Sequence, residues 1–123
     1  MRGGMKKLGV ILFFLLNTVS LLAINFEGEY VMKGWDPYEK TNYSGFATLT
    51  KENNDLYQFF GAEGSKQFRG TGMMCCKDVA AFVTVGNGSE IYLTIYQINS
   101  NTLKGKWLIL NQNMLGTEEL LKK

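Results

Sequence analysis

The chain contains no histidine, so the commonest general base near neutral pH and the commonest zinc ligand are both missing. Ser-His and Cys-His nucleophile pairs are thereby excluded. It has one proline, Pro37, and two cysteines, Cys75 and Cys76, which are adjacent. Neighbouring residues cannot reach ordinary disulfide geometry without distorting the peptide between them, and no third cysteine offers a partner. The fold must therefore be held by burial. The thiols are free, bridged between molecules, or closed into a strained ring, and extended backbone would point them to opposite faces. Beyond the N-terminal segment there is no helical hydrophobic period, no cluster of Lys and Arg, and no Asp/Asn-rich loop of the length and glycine placement that calcium requires.

The first seven residues include Arg2, Lys6 and Lys7; residues 8–22 carry no charge, and Ala23 follows. A basic start, an apolar run and a small residue are the pattern of an export signal. Residues 1–23 are read as that signal, with cleavage near Ala23, and residues 24–123 as one small domain. A retained anchor is the alternative. Asn17, Thr18 and Ser20 weaken the run, however, and it is shorter than the roughly 20 residues that span a bilayer. The expected location is secreted or periplasmic, without a permanent membrane anchor. Removing the signal takes thirteen basic residues to ten against eleven acidic ones, and the formal charge from +2 to −1. Such a surface gains little from counterion release, so no nucleic-acid partner is expected.

What is abundant is alternation. Leu103-Lys104-Gly105-Lys106-Trp107 puts leucine, glycine and tryptophan on one strand face and two lysines on the other. The same apolar-x-Gly-x-apolar form occurs at Phe26-Glu27-Gly28-Glu29-Tyr30 and Tyr43-Ser44-Gly45-Phe46-Ala47, and Phe68-Arg69-Gly70-Thr71-Gly72 repeats it with a second glycine last. Glycine inside a strand normally costs stability, so its recurrence at one inward phase points to a crowded, curved sheet that needs the room. Strands are expected over 26–33, 43–51, 55–60, 67–74, 79–85, 90–98, 102–110 and 116–121, joined by short turns rich in Asn, Gly and Ser. Residues 34–42 are expected to form the one long loop, lying over a barrel mouth. The fold class is all-β: an eight-stranded antiparallel up-and-down β-barrel. A sandwich is the alternative, but its crossovers need longer connections.

Eight meandering strands, Gly28-Glu29-Tyr30 at the start and Gly105-Lys106-Trp107 near the end give a chain that resembles the avidin and lipocalin group of exported, calycin-like barrels. That group carries Gly-x-Trp near its first strand, where this chain has Tyr30. The Asn, Ser, Tyr and multiple-Trp set that holds biotin has no counterpart. The resemblance is architectural and implies no biotin site.

Tyr30, Tyr43, Phe68 and Trp107 share the glycine phase and are expected inside, as core filling or as a ligand cup. Trp35 and Tyr38 fall in the expected loop, where they would pack the lid or form a binding edge. Strand eight, Gly116-Thr117-Glu118-Glu119-Leu120-Leu121, has a glutamate on each face, and the glycine phase selects Glu118 as the inward one. A buried carboxylate needs partners, and Tyr30, Gln58, the Trp107 indole or trapped water are the expected donors; otherwise its pKa must rise. Glu118 would then either close the barrel against strand one or orient a ligand. The functional reading is a non-enzymatic exported binding module for a small apolar or aromatic molecule or a protein partner, with no cofactor. An extracytoplasmic carboxylate-dependent hydrolase and a structural envelope protein without ligand are the alternatives.

Overall fold

The computed structural model describes residues 25–123, so the expected export signal lies outside the described residues. Those residues form eight strands and no helix: β1 (Gly28–Asp36), β2 (Thr41–Lys51), β3 (Leu56–Glu63), β4 (Lys66–Cys76), β5 (Val79–Val85), β6 (Ile91–Asn99), β7 (Thr102–Ile109) and β8 (Gly116–Lys122). Each strand pairs antiparallel with the next, and β8 returns to β1, so the sheet closes into an up-and-down barrel in chain order. Closure leaves no free sheet edge. The sandwich is thereby excluded.

Tight turns explain the meander. Residues 64–65, 77–78 and 100–101 are two-residue connections, and Gly64, Asp78 and Ser100 adopt the left-handed conformation there, with φ of 62°, 64° and 60°. The expected long loop over 34–42 is instead mostly strand. Gly34, Trp35 and Asp36 pair with Tyr43, Asn42 and Thr41, leaving only residues 37–40 as a turn. Pro37 stops the strand rather than marking a long excursion, because it has no N–H to give to a ladder. The longer connection of that end is residues 110–115, between β7 and β8.

The inward phase runs through glycines, as the sequence pattern requires. A Cβ at Gly116 would fall within the Trp107 indole, one at Gly72 within the Phe82 ring, and one at Gly105 against the Ile95 carbonyl and the Tyr96 ring. The missing side chains are the space that the aromatic rings occupy. Phe26, just before β1, plugs the end of the barrel away from the 37–40 turn, stacking on Tyr57 with ring centroids 3.9 Å apart. Tyr30, Met32, Leu49, Phe82, Leu103 and Leu120 complete a core around it, all nearly inaccessible to solvent. Fully burying a side chain of this size contributes roughly 1.5–3 kcal/mol, which is what a chain without a long-range disulfide relies on.

One expected orientation is corrected. The register of β4 against β5 shifts between Met74 and Cys76, so Cys75 and Cys76 do not point to opposite faces. Both are exposed, with their sulfurs 2.6 Å apart. The bulge breaks the alternation that an unbroken strand would have imposed.

Replacing Gly105 by Ala should destabilise the barrel by about 1–3 kcal/mol, the range for overpacking a filled interior. Gly88→Ala is the control, because only the flexible Glu90 side chain lies near its Cβ. Urea unfolding of the two variants should separate them clearly. Equal midpoints would mean that glycine at the inward phase is not a packing requirement.

Candidate functional site

The open end of the barrel is built from the β1, β3, β5 and β7 C-termini, and its interior holds a cavity of about 60 Å³. Half of its lining side chains are aromatic, including Tyr43, Phe68, Tyr92, Tyr96 and Trp107, and its one deep charge is Glu118. Asp36, Glu63 and Lys66 line the same space toward the mouth.

Glu118 is placed by register. On β8 it lies opposite Gly105 of β7 and Gly34 of β1. Beyond Gly105 the next inward residue is Tyr96 of β6; beyond Gly34 it is Tyr43 of β2. The row across five strands therefore reads Tyr43, Gly34, Glu118, Gly105, Tyr96. With no side chain on either glycine, both tyrosines lean over them and reach the carboxylate. A Cβ at Gly34 would collide with the Tyr43 ring and hydroxyl. Tyr43 donates to Glu118 Oε1 at 2.8 Å, and the Tyr96 hydroxyl donates to Oε2.

The electrostatics follow from this packing. Burial raises the Glu118 carboxyl above its ordinary value; the Tyr96 and Tyr43 hydroxyls pull it back down, and the charge of Glu63 adds to the rise. Tyr43 and Tyr96 are both raised far above the usual phenol value, by burial first and by the charge of Glu118 second. Both remain donors at any ordinary pH. Glu63 is also raised, by burial, with Asp36 and Glu39 adding to it and Lys66 opposing it.

Trp107 is the aromatic hub. Its ring lies 5.8 Å from Tyr92, 5.9 Å from Tyr38 and 6.3 Å from Tyr43, centroid to centroid. Above it Tyr38 latches two connections together, donating from its hydroxyl to the Met114 carbonyl at 2.7 Å and accepting from the Ile109 amide at 3.4 Å.

Of the six residues expected at the site, Glu118 and Trp107 line the cavity, and Tyr38 stands next to it, packed against Trp107. Three do not join them. Tyr30 is inward but lower in the barrel, its hydroxyl donating to the Phe26 carbonyl; burial, with Tyr57 adding, pushes its pKa up to about 12. Gln58 sits on the outer face, because Tyr57 and Phe59 take the inward phase of β3, and it accepts from the Thr71 hydroxyl. Trp35 is likewise outward on β1 and 38% exposed. The expected indole donation to Glu118 is not made either, since Trp107 Nε1 donates to the Thr117 carbonyl at 3.2 Å. Tyr96 was missed as a donor, and Tyr43 was expected inside without this role. The signal for Tyr96 was the turn at residues 100–101: a two-residue connection pairs Ile98 with Leu103, and hence Tyr96 with Gly105.

No protein-family model matches the chain, and no curated protein is detectably similar to it.

A raised folded-state pKa has a defined sign. The folded protein keeps the Glu118 proton to higher pH than the unfolded chain does, so stability falls as pH rises from about 4.3 through the folded value. Glu118→Gln removes that slope while leaving the contribution of Glu63 in place. Urea unfolding across this window should show the free-energy difference shifting in favour of the glutamine variant as pH rises, by about 1.4 kcal/mol for each pH unit by which the pKa is raised. A difference that stays constant with pH contradicts the placement of the carboxylate.

Proposed function

We propose that the protein is an exported, non-enzymatic binding barrel that takes a small molecule into its open end. The single observation that carries this reading is the split interior. One end is plugged by Phe26 and Tyr57, whereas the other keeps a cavity whose aromatic wall surrounds one oriented carboxylate. A few convergent polar groups in an apolar pocket are the usual composition of a ligand site. The eight-stranded closed meander, which is calycin-like in architecture, supports the same reading. Location outside the cytoplasm rests on the N-terminal sequence pattern alone; the outer face of the barrel mixes Lys33, Arg69, Lys104 and Lys106 with exposed Phe46, Val83 and Ile95.

One observation favours the hydrolase: Asp36, Glu63 and Glu118 share a cavity. Against it, Glu118 is deeply buried between two tyrosine hydroxyls, while Asp36 and Glu63 line the cavity toward the mouth, and no bond links any two of the three carboxylates. A space of about 60 Å³ also leaves little room for a scissile bond with groups on both sides, since a cavity of roughly 150 Å³ is needed to take one benzene. Binding is the stronger reading.

The chain has two tryptophans, Trp35 outside and Trp107 on the cavity wall. In a Trp35→Phe protein, emission therefore reports on the cavity alone. Screening a library of small molecules should yield saturable changes in that emission, which competing members of the same series reverse. Absence of any saturable response across charged, polar and apolar compounds would sink the binding reading.

A further inference from the structure

We infer that the ligand of this cavity is a compact organic cation, an alkylammonium whose charged head rests against Glu118 among the aromatic rings. The inference depends on the binding-barrel reading above and adds the charge class of the ligand.

The first ground is the unbalanced charge of Glu118. Its two hydrogen-bond partners are neutral phenols, which orient the carboxylate without cancelling its charge. None of the ion pairs among the described residues includes it; they join Lys66 to Glu39, Lys104 to Glu119 and Lys123 to Glu29. A carboxylate has about four acceptor positions, and the two tyrosines use two of them. The remaining capacity suits the N–H donors of an ammonium group, whose positive charge would offset the cost of burying the negative one.

The wall supplies the second ground. Trp107, Tyr43 and Tyr92 all line the cavity, and Trp107 meets Tyr43 at 68° and Tyr92 at 58° rather than in a flat stack. Faces of Trp and Tyr attract cations through the ring quadrupole, by about 0.5–1 kcal/mol when exposed and about 2 kcal/mol or more when desolvated. A neutral apolar guest would gain from the same wall but nothing from Glu118. An anion would be repelled.

The mouth agrees in sign. Asp36 and Glu63 line it, and its one cation, Lys66, is engaged by Glu39 at 3.4 Å. Burial is the main cause of the rise in the Glu63 pKa; Lys66 opposes it, and Asp36 and Glu39 add to it. A field of this sign draws cations inward. Size sets the geometry: about 60 Å³ admits an ammonium head but not a ring, so the rest of the molecule lies in the mouth, beside Asp36 and Glu63. Among the described residues no group of three or more His, Cys, Asp and Glu side chains is placed to hold a metal ion, so the favoured cation is organic.

The test compares three probes of nearly equal shape, n-butylammonium, n-butanol and butyrate, at constant ionic strength. Binding is read from the Trp107 indole N–H resonance of the folded protein. Butylammonium should bind roughly tenfold or more tightly than butanol, and butyrate should not bind. Glu118→Gln should abolish the preference for the amine, bringing the ratio of amine to alcohol affinity close to one. Equal binding of amine and alcohol to the wild type would overturn the cation inference but leave the small-molecule reading standing. Silence from all three probes, with library compounds also inactive, would overturn both. Should the glutamine variant not fold, the wild-type ratio of amine to alcohol decides the question alone.

Discussion

The constraint on which the open half of this barrel depends is the reach of two tyrosines across two glycines to one carboxylate. Tyr43 and Tyr96 stand two strands away from Glu118 on opposite sides, too far for adjacent strand positions to pair directly, and only the bare backbone at Gly34 and Gly105 lets their rings bridge the gap. The resulting bonds tie β2 and β6 to β8, the Tyr43 bond crossing the seam where the last strand meets the first and the Tyr96 bond spanning β7. A buried carboxylate without such donors would be costly enough to protonate or to unfold its surroundings. The glycines, the phenols and the acid are therefore one device. Removing any member changes what the others are for.

That device also divides the interior. Toward the plugged end, Phe26, Tyr57, Tyr30 and the aliphatic side chains fill the barrel, as small barrels usually are filled. Toward the open end, the rings stand around the carboxylate instead of packing over it, and a cavity results. Closure of the barrel and orientation of a ligand are the two roles open to a buried Glu118. They are compatible here, because Tyr43, which bridges the seam, and Tyr96 together leave acceptor capacity on the carboxylate that lines the cavity.

The fold was legible because strand parity and turn length are local. Glycine at one phase in four segments identified the inward face of β1, β2, β4 and β7, and it carried over to β8, selecting Glu118 over Glu119. The site was legible only in part. Gln58 was misplaced because its strand, Leu56–Glu63, is apolar on both phases: Leu56, Phe60 and Ala62 compete with Tyr57, Phe59 and Gly61. In β6 the aliphatic Ile91, Leu93 and Ile95 hold the outer phase, so hydrophobicity pointed away from Tyr96. Trp35 was assigned to a loop by its neighbour Pro37, although its pairing with Asn42 makes it an outward strand residue. The common cause is that apolar alternation fails where both faces are apolar, and only pairing register, which is a property of two strands, settles which residue turns inward.

The most direct measurement is a carbon-detected NMR titration of the Glu118 carboxyl in the wild type and in Tyr43→Phe and Tyr96→Phe. The wild-type pKa should lie above the ordinary glutamate value and rise further in each variant, because each lost hydroxyl removes a bond that stabilises the ionised form. An unshifted wild-type value, or variants that titrate as the wild type does, would contradict the claim that the two tyrosines hold a buried carboxylate between them.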